Sequence, residues 1–402
     1  MTGDGEILFL VHRIPFPPDR GDKIRSYHML KALADIAPVH VGCFADDARD
    51  MGFSQDLAEY TASQCVVMRD RSKALAGVAA LFNQGSILVS IYENQKLHRW
   101  VREIVSTRPI RAIIAYSVQM ANYVPQDLPA GCRFLMDFVD FDSAKYAVYG
   151  AEQNGFMGWV NRREGRVLLD FEREVARRAD ISTFVSDAEA QLFAQTAGVQ
   201  DRDVRALDNG VNLNYFNENS DIVSIESEEN PLLVFTGQMD YRPNIEAVES
   251  FTREALPIVR AKYSTATFAI VGRNPTPHVQ ALALQPGVIV TGGVPDIRGW
   301  LAAADVVVAP LRIARGIQNK VLEAMAMGRP VVASPQAAEG IDAVNGQHFV
   351  VAADPQAEAE AVRALLANPQ QAAALGKAAR VRMEQRYDWA ATLAPLRKMV
   401  LG

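Results

Sequence analysis

Val306-Val307-Val308-Ala309-Pro310-Leu311-Arg312 is an apolar, β-branched run ending in proline, and Arg315-Gly316-Ile317-Gln318-Asn319-Lys320-Val321-Leu322-Glu323-Ala324-Met325 follows it through a glycine loop. The first run reads as a buried strand, the glycine as a turn, and 320–327 as a helix. N–H groups at the start of such a helix lack intrahelical partners and sit at the positive end of its dipole, so they attract phosphate. Lys320 adds a point charge. Glu323, three residues on, shares a helix face with Lys320 and is placed to accept hydrogen bonds from ribose hydroxyls, as acids do in dinucleotide folds. An ordinary ion pair on an exposed face is the alternative reading of these two residues.

Outward from this stretch, short apolar runs alternate with longer segments of helical period, the pattern of parallel sheets built from βαβ units. Strands are expected at 7–12, 39–44, 64–68, 112–116, 133–138 and 181–185, and again at 232–236, 267–271, 288–291, 306–309, 330–333 and 348–351. Between the sets, 217–230 is rich in Asn, Ser and Glu and reads as a surface connection. The expected class is α/β: two doubly wound, Rossmann-like domains, 1–200 and 201–386, facing each other across a cleft. A final helix, 387–402, opening at Tyr387-Asp388-Trp389, is expected to pack back on the first domain. Ligands of such sheets bind outside the carboxyl ends of the strands.

The composition removes several function classes. At 402 residues the chain exceeds one ordinary core. A net charge of −6 argues against nucleic acid as a partner, since phosphate-backbone binding shows as a basic surplus. Cys43, Cys65 and Cys132 are odd in number and lack C-x-x-C spacing, so neither a disulfide framework nor a zinc site is indicated. Met1 to Glu6 is polar and acidic, unlike a signal peptide, and no apolar stretch approaches the ~20 residues of a membrane span. A cytoplasmic location is the expectation. No Gly-x-Gly-x-x-Gly follows a strand, which disfavours an NAD enzyme.

Glu323-Ala324-Met325-Ala326-Met327-Gly328-Arg329-Pro330-Val331-Val332 resembles the signature of the family-4 retaining glycosyltransferases of GT-B architecture. The resemblance implies that Glu323 binds the donor ribose, while Gly316, Ile317, Gln318, Asn319 and Lys320 meet the diphosphate and donor sugar. Thr236-Gly237-Gln238-Met239-Asp240-Tyr241-Arg242-Pro243-Asn244 is similar to the family's first nucleotide-binding loop, with Gly237 at close approach and Arg242, then Arg273, as phosphate ligands. Gly293-Val294-Pro295-Asp296 resembles the base-recognising segment, through the backbone of Val294. The family's commonest donor base is uracil, so a UDP-sugar is expected. Pro15-Phe16-Pro17-Pro18-Asp19-Arg20-Gly21-Asp22-Lys23-Ile24-Arg25 resembles the acceptor-side glycine loop. There Gly21 makes the turn, Asp22 is also a plausible helix cap, and Lys23 and Arg25 are candidates to meet phosphate. With Asp137-Phe138-Val139-Asp140-Phe141-Asp142-Ser143, these motifs most resemble sugar transferases of exosortase/PEP-CTERM exopolysaccharide systems.

Two departures stand out. The family's first glutamate would fall at 315, where this chain has Arg315, so a donor-only guanidinium replaces an acceptor-only carboxylate. Arg315 then faces the diphosphate, an acidic donor sugar, or solvent. The family's histidine after the fifth strand is also missing, which leaves Asp140 or Asp137 for any polar catalytic role. The resemblance implies retention by a front-face route in which the leaving diphosphate helps deprotonate the acceptor, so the protein's task is positioning and charge stabilisation. No metal and no cofactor beyond the nucleotide-sugar substrate is expected. The implied acceptor is a saccharide or a lipid-linked one, and Trp159-Val160-Asn161-Arg162-Arg163 suggests peripheral contact with the inner face of a membrane; Glu164, Asp170, Glu172 and Glu174 make a solvated helix the competing reading. A GT-B nucleotide-sugar epimerase and a non-catalytic sugar-nucleotide-binding protein are the alternatives.

Overall fold

The computed structural model describes residues 5–70, 85–218, 220–222, 225, 230–314 and 317–402. The chain divides into two compact units, one comprising 1–208 and 393–402, the other 209–392. The sequence pattern places the domain boundaries at 200/201 and 386/387; in the structure the units part at 208/209 and 392/393.

The first unit holds a seven-stranded sheet: β1 (Glu6–Val11), β2 (Val39–Ala45), β3 (Ser63–Met68), β4 (Ile110–Tyr116), β5 (Arg133–Val139), β6 (Ile181–Phe184) and β7 (Val204–Ala206). Their order is β3-β2-β1-β4-β5-β6-β7, and every pairing is parallel. Helices cover both faces, so Ile7 to Val11 of the central strand are 0% exposed. The short β7, Val-Arg-Ala at the sheet edge, is too brief and too mixed to have been read from sequence.

The second unit repeats the plan with six parallel strands: β8 (Leu232–Thr236), β9 (Thr267–Val271), β10 (Val288–Gly292), β11 (Val306–Ala309), β12 (Val331–Ala333) and β13 (Val350–Val351). The order is β10-β9-β8-β11-β12-β13. Chain direction across each sheet therefore reverses between β1 and β4, and between β8 and β11, the places where such sheets bind ligands.

Two expectations about helices are corrected. The acids of the helix Gly155–Arg178 do not all solvate it: Glu164 is 1% and Glu172 0% exposed. Glu164 accepts from Ser86 Oγ (2.6 Å) and from the backbone N–H groups of Ile87 and Leu88 (both 2.9 Å), capping the helix Ile87–Ile91. Glu172 accepts from the Ser143 N–H (3.2 Å) and Oγ (2.5 Å), and burial pushes its carboxyl up to about 8. Tyr387 does not open a final helix. It is buried, its hydroxyl accepts from the Asp342 N–H (2.6 Å), and two helices, Trp389–Thr392 and Ala394–Leu401, follow. Among the described residues, no helix is long and apolar enough to cross a membrane.

Candidate functional site

In the second unit the site is assembled at the β8/β11 reversal. Gly237 follows β8 and donates to Val271 O (3.0 Å), while Gly272 follows β9 and donates to Gly292 O (3.2 Å). A Cβ on Gly272 would stand 1.6 Å from Gly237 O, so the two loops touch backbone to backbone and only glycine fits. A Cβ on Gly237 would lie 2.7 Å from Asn244 Nδ2 and 3.4 Å from Lys320 Nζ. The lysine ammonium is therefore beside the glycine loop. Lys320 Nζ donates to Asn244 Oδ1 (2.5 Å), Asn244 Nδ2 donates to Gln238 O (2.8 Å), and the ammonium sits 4.6 Å from the Phe235 ring centroid.

Lys320 belongs to the first turn of the helix Asn319–Ala326, one residue offset from the span read in the sequence. Gln318 is its N-cap residue and supplies no side-chain cap, while Val321 and Leu322 N–H both return to Gln318 O (2.9 and 3.3 Å). The earlier N–H groups of this turn thus face away from any intrahelical acceptor, the geometry that binds anions. Asn319 Oδ1 accepts from Asn209 Nδ2 (3.5 Å), and Ile317 is buried in the core beneath. Glu323 lies one turn on. Burial pushes Lys320 down to about 7 against the pull of Glu323, and pushes Glu323 up to about 7 against Lys320. Both side chains are half-buried, so this is not the exposed ion pair of the alternative reading.

The two arginines sit at the rim. Arg242 is exposed at the start of the helix Arg242–Ser250 and donates to Glu246 (2.6 Å). Arg273 is exposed, its carbonyl accepts from the Met239 N–H (2.8 Å), and its Cγ would be 3.2 Å from a Cβ on Gly293. Val294 packs half-buried against the core after β10. Arg315 and Gly316 lie outside the described residues. Arg312, ahead of them in the chain, has Nη2 2.9 Å from Glu358 Oε1, and its Nη1 donates to Ala353 O (3.0 Å).

In the first unit polar side chains leave the carboxyl ends of five neighbouring strands. His12 and Arg13 follow β1, Asp46 follows β2, Arg69 follows β3, Tyr116 ends β4 and Asp137 lies in β5. His12 and Tyr116 flank the chain reversal with stacked rings, centroids 5.6 Å and planes 3° apart. Asp22 does not cap the helix Gly21–Ala34, whose N-cap residue is Arg20. Its carboxylate instead meets His12 Nε2 (3.2 Å), Arg13 Nη1 (2.5 Å) and Arg20 Nε (2.9 Å). Burial alone would raise its pKa, yet these partners hold it well below the ordinary carboxylate range.

Lys23 and Arg25 are not open to phosphate. The helix turns Lys23, Ser26, Met29, Leu30 and Leu33 inward at helical spacing, with Arg25 beside them. Lys23 is 3% exposed and donates to Asp50 (2.6 Å) and Phe16 O (3.1 Å); Arg25 is 1% exposed and donates to Asp137 (3.0 Å) and Asp208 O (3.2 Å). Asp137, 2% exposed, is thus the counter-ion of Arg25. Asp140 reaches the surface and pairs with Lys145 (2.6 Å), which also meets Asp142 (3.2 Å). Between the two aspartates, Val139 has φ 70° in a γ-turn closed by Asp140 N–H to Phe138 O (2.9 Å). A β-branched residue there carries strain of about 1–3 kcal/mol, a mark of functional positions. Glu189 Oε1 accepts from Phe141 N–H (2.8 Å), and burial with Asp140 nearby pushes this carboxyl up to about 7.

Sequence reasoning missed Asn244, His12, Arg13, Arg20, Asp46, Arg69, Tyr116, Lys145 and Glu189 as site residues. Most stand within two residues of a strand end, and a polar residue closing an apolar run was the available signal. Among the described residues, no group of His, Cys, Asp and Glu is arranged to hold a metal ion.

Residues 230–368 match the family model for group 1 glycosyl transferases, so the second unit contains a domain of that kind. The GDP-mannose-dependent alpha-(1-6)-phosphatidylinositol monomannoside mannosyltransferase of Mycolicibacterium smegmatis is 28% identical over 266 residues, 61% of this chain and 68% of the relative. The phosphatidyl-myo-inositol mannosyltransferase of Propionibacterium freudenreichii is 34% identical over 109 residues, 26% of each chain. Among solved structures, Anabaena HepE in complex with UDP superimposes with a TM-score of 0.67 at 17% identity, covering 98% of this chain and 99% of that one. Sucrose-phosphate synthase from Thermosynechococcus elongatus gives 0.68 at 18% identity, with 98% of each chain covered. The GT-B fold, two parallel-sheet Rossmann-like domains, is shared with these proteins along almost the whole chain.

Proposed function

We propose that this protein is a glycosyltransferase that moves a sugar from a nucleoside-diphosphate donor to a saccharide or lipid-linked acceptor, with retention of configuration, in exopolysaccharide synthesis. One arrangement supports this reading above the rest: the Gly237 loop, the Lys320 ammonium and the uncapped start of the helix Asn319–Ala326 converge in the second unit. The donor diphosphate lies there, with Lys320 and the helix amides against its oxygens and Glu323 against the ribose. Gly293 and Val294 receive the base, and Arg273 and Arg242 close the rim. The first unit holds the acceptor, with Asp140 the surface carboxylate available to it and Asp137 positioning Arg25.

The leaving diphosphate takes the acceptor proton, and the protein supplies orientation and positive charge without a metal or further cofactor. A UDP-sugar is the first donor to test. A GDP-sugar is the second, because GDP-mannose stands in the name of the mycolicibacterial relative. The exposed Phe156, Met157 and Trp159 at the tip of the helix Gly155–Arg178, followed by exposed Arg162 and Arg166, support peripheral contact with the cytoplasmic face of a membrane holding the acceptor. Thermal-shift titration with UDP, GDP, ADP and their sugars tests the donor site, since a ligand bound only by the native state raises apparent stability by mass action. Stabilisation by one nucleotide family, lost in Lys320→Gln, is the expected result; no shift with any of them removes the reading.

A further inference from the structure

We infer that the ends of β1, β2 and β3 form an anion subsite in which Arg20 and Arg69, steered by Asp22 and Asp46, bind a phosphoryl group of the acceptor; the word acceptor rests on the proposed transferase function. Three guanidiniums share two carboxylates there. Asp22 takes Arg13 Nη1 (2.5 Å) and Arg20 Nε (2.9 Å), and Asp46 takes Arg13 Nε (2.7 Å) and Arg69 Nε (2.8 Å). Arg13 is thus the central bridge, and the linked set keeps one positive charge over, before His12 is counted.

The direction of these bonds matters as much as the sum. Arg20 and Arg69 are each gripped on Nε, and among the described residues their Nη nitrogens donate to no protein acceptor. A guanidinium held on one edge offers the other as a ready fork for two phosphate oxygens. Both side chains reach the surface, at 32% and 24% exposure, and Arg13, at 20%, is taken up on Nε and Nη1 by the two carboxylates. Arg69 also lies over the buried Tyr92 ring, 5.7 Å from its centroid, which limits its rotamers. Beside the fork, His12 Nδ1 is buried without a hydrogen-bond partner among the described residues, in a side chain 9% exposed. The place is the carboxyl edge of a doubly wound sheet, where ligands of this fold class bind, on the β2–β3 side of the chain reversal between β1 and β4. Lys23 and Arg25, the cations the sequence offered for this task, are already consumed by Asp50 and Asp137.

The test is calorimetric titration of inorganic pyrophosphate into the whole protein saturated with UDP, so that the second unit's site is filled. The expected result is one further site that weakens at least tenfold in Arg20→Gln/Arg69→Gln and on raising salt, while UDP affinity and melting temperature stay unchanged. Displacement of pyrophosphate by farnesyl diphosphate, but not by glucose 1-phosphate, assigns the phosphoryl group to a lipid carrier; the reverse assigns it to a soluble sugar phosphate. Pyrophosphate binding equal in the double variant and the wild type, or absent from both, overturns the subsite and leaves a self-satisfied ion-pair network. If UDP itself fails to bind, the transferase reading falls separately, and the same pyrophosphate titration without UDP still decides the subsite.

Discussion

Binding of a nucleotide-sugar to the second unit should change its proton balance with a sign that reverses near pH 7. In the free protein burial holds Lys320 at about 7 and Glu323 at about 7. A bound diphosphate favours the charged amine and returns it toward its ordinary value near 10.4, while ribose hydroxyls favour the ionised carboxylate. At pH 8 the free lysine is about 10% charged and the glutamate about 90% ionised, so binding takes up roughly 0.9 proton and releases roughly 0.1, a net uptake near 0.8. At pH 6 the occupancies exchange, and the same arithmetic gives a net release near 0.8. Affinity should therefore peak near pH 7 and fall toward tenfold per pH unit on either side. Calorimetry with UDP-glucose in buffers of different ionisation enthalpy measures the proton count directly, and this donor has no terminal phosphate to titrate. Lys320→Gln should abolish the uptake at pH 8 and spare the release at pH 6, with Glu323→Gln doing the opposite. A proton count that stays flat from pH 6 to 8, or one that either variant leaves intact, refutes the placement of these two groups against the ligand.

Gly237→Ala should weaken nucleotide binding about tenfold or more, because its methyl must displace Asn244 and with it Lys320; Gly52→Ala, with nothing within 4 Å, is the silent control in the same titration. Glu172 has a folded-state pKa raised to about 8, so its favourable contribution is complete below about 4.3 and is lost as pH rises through 8. Glu172→Gln should accordingly stabilise the protein increasingly between pH 5 and 9, by about 1–3 kcal/mol at the top of that range in urea unfolding, and an equal effect at both ends would contradict this. Transfer activity should survive EDTA undiminished, whereas complete loss restored by manganese would overturn metal-independent stabilisation of the diphosphate. Phe156→Ser/Trp159→Ser should leave the melting temperature within about 1 °C, since both side chains are exposed, yet abolish flotation with anionic liposomes.

The strand-by-strand plan was legible because buried parallel strands are written as unbroken apolar runs, such as Ile7–Val11 and Val306–Ala309, bounded by polar residues or proline. The grouping of residues in the second unit was legible for the same reason: Gly237, Lys320 and Glu323 sit in or beside contiguous motifs. The first unit was harder. Lys23 and Arg25 look like surface cations in sequence, and only the packing of the helix Gly21–Ala34 shows that they face Asp50 and Asp137. Arg13, Arg20 and Arg69 come from separate strand ends and meet through Asp22 and Asp46, a convergence that no local window contains. Glu164 and Glu172 reversed from solvated to buried because their partners, Ser86 and Ser143, lie at the starts of other helices. Val139 is a further case: a strand-forming residue gives no warning that its backbone takes φ 70°.

The central claim is group transfer from a nucleotide-sugar held by Lys320 and Glu323. Its most direct test incubates the protein with labelled UDP- and GDP-sugars and a lipid extract, following both free nucleoside diphosphate and label in the extract. Transferase action predicts equimolar nucleoside diphosphate and glycosylated acceptor, both dependent on the extract and both reduced at least tenfold in Glu323→Gln. Release of nucleotide without glycosylated product, a new nucleotide-sugar formed from donor alone, or turnover indifferent to Glu323→Gln would contradict it.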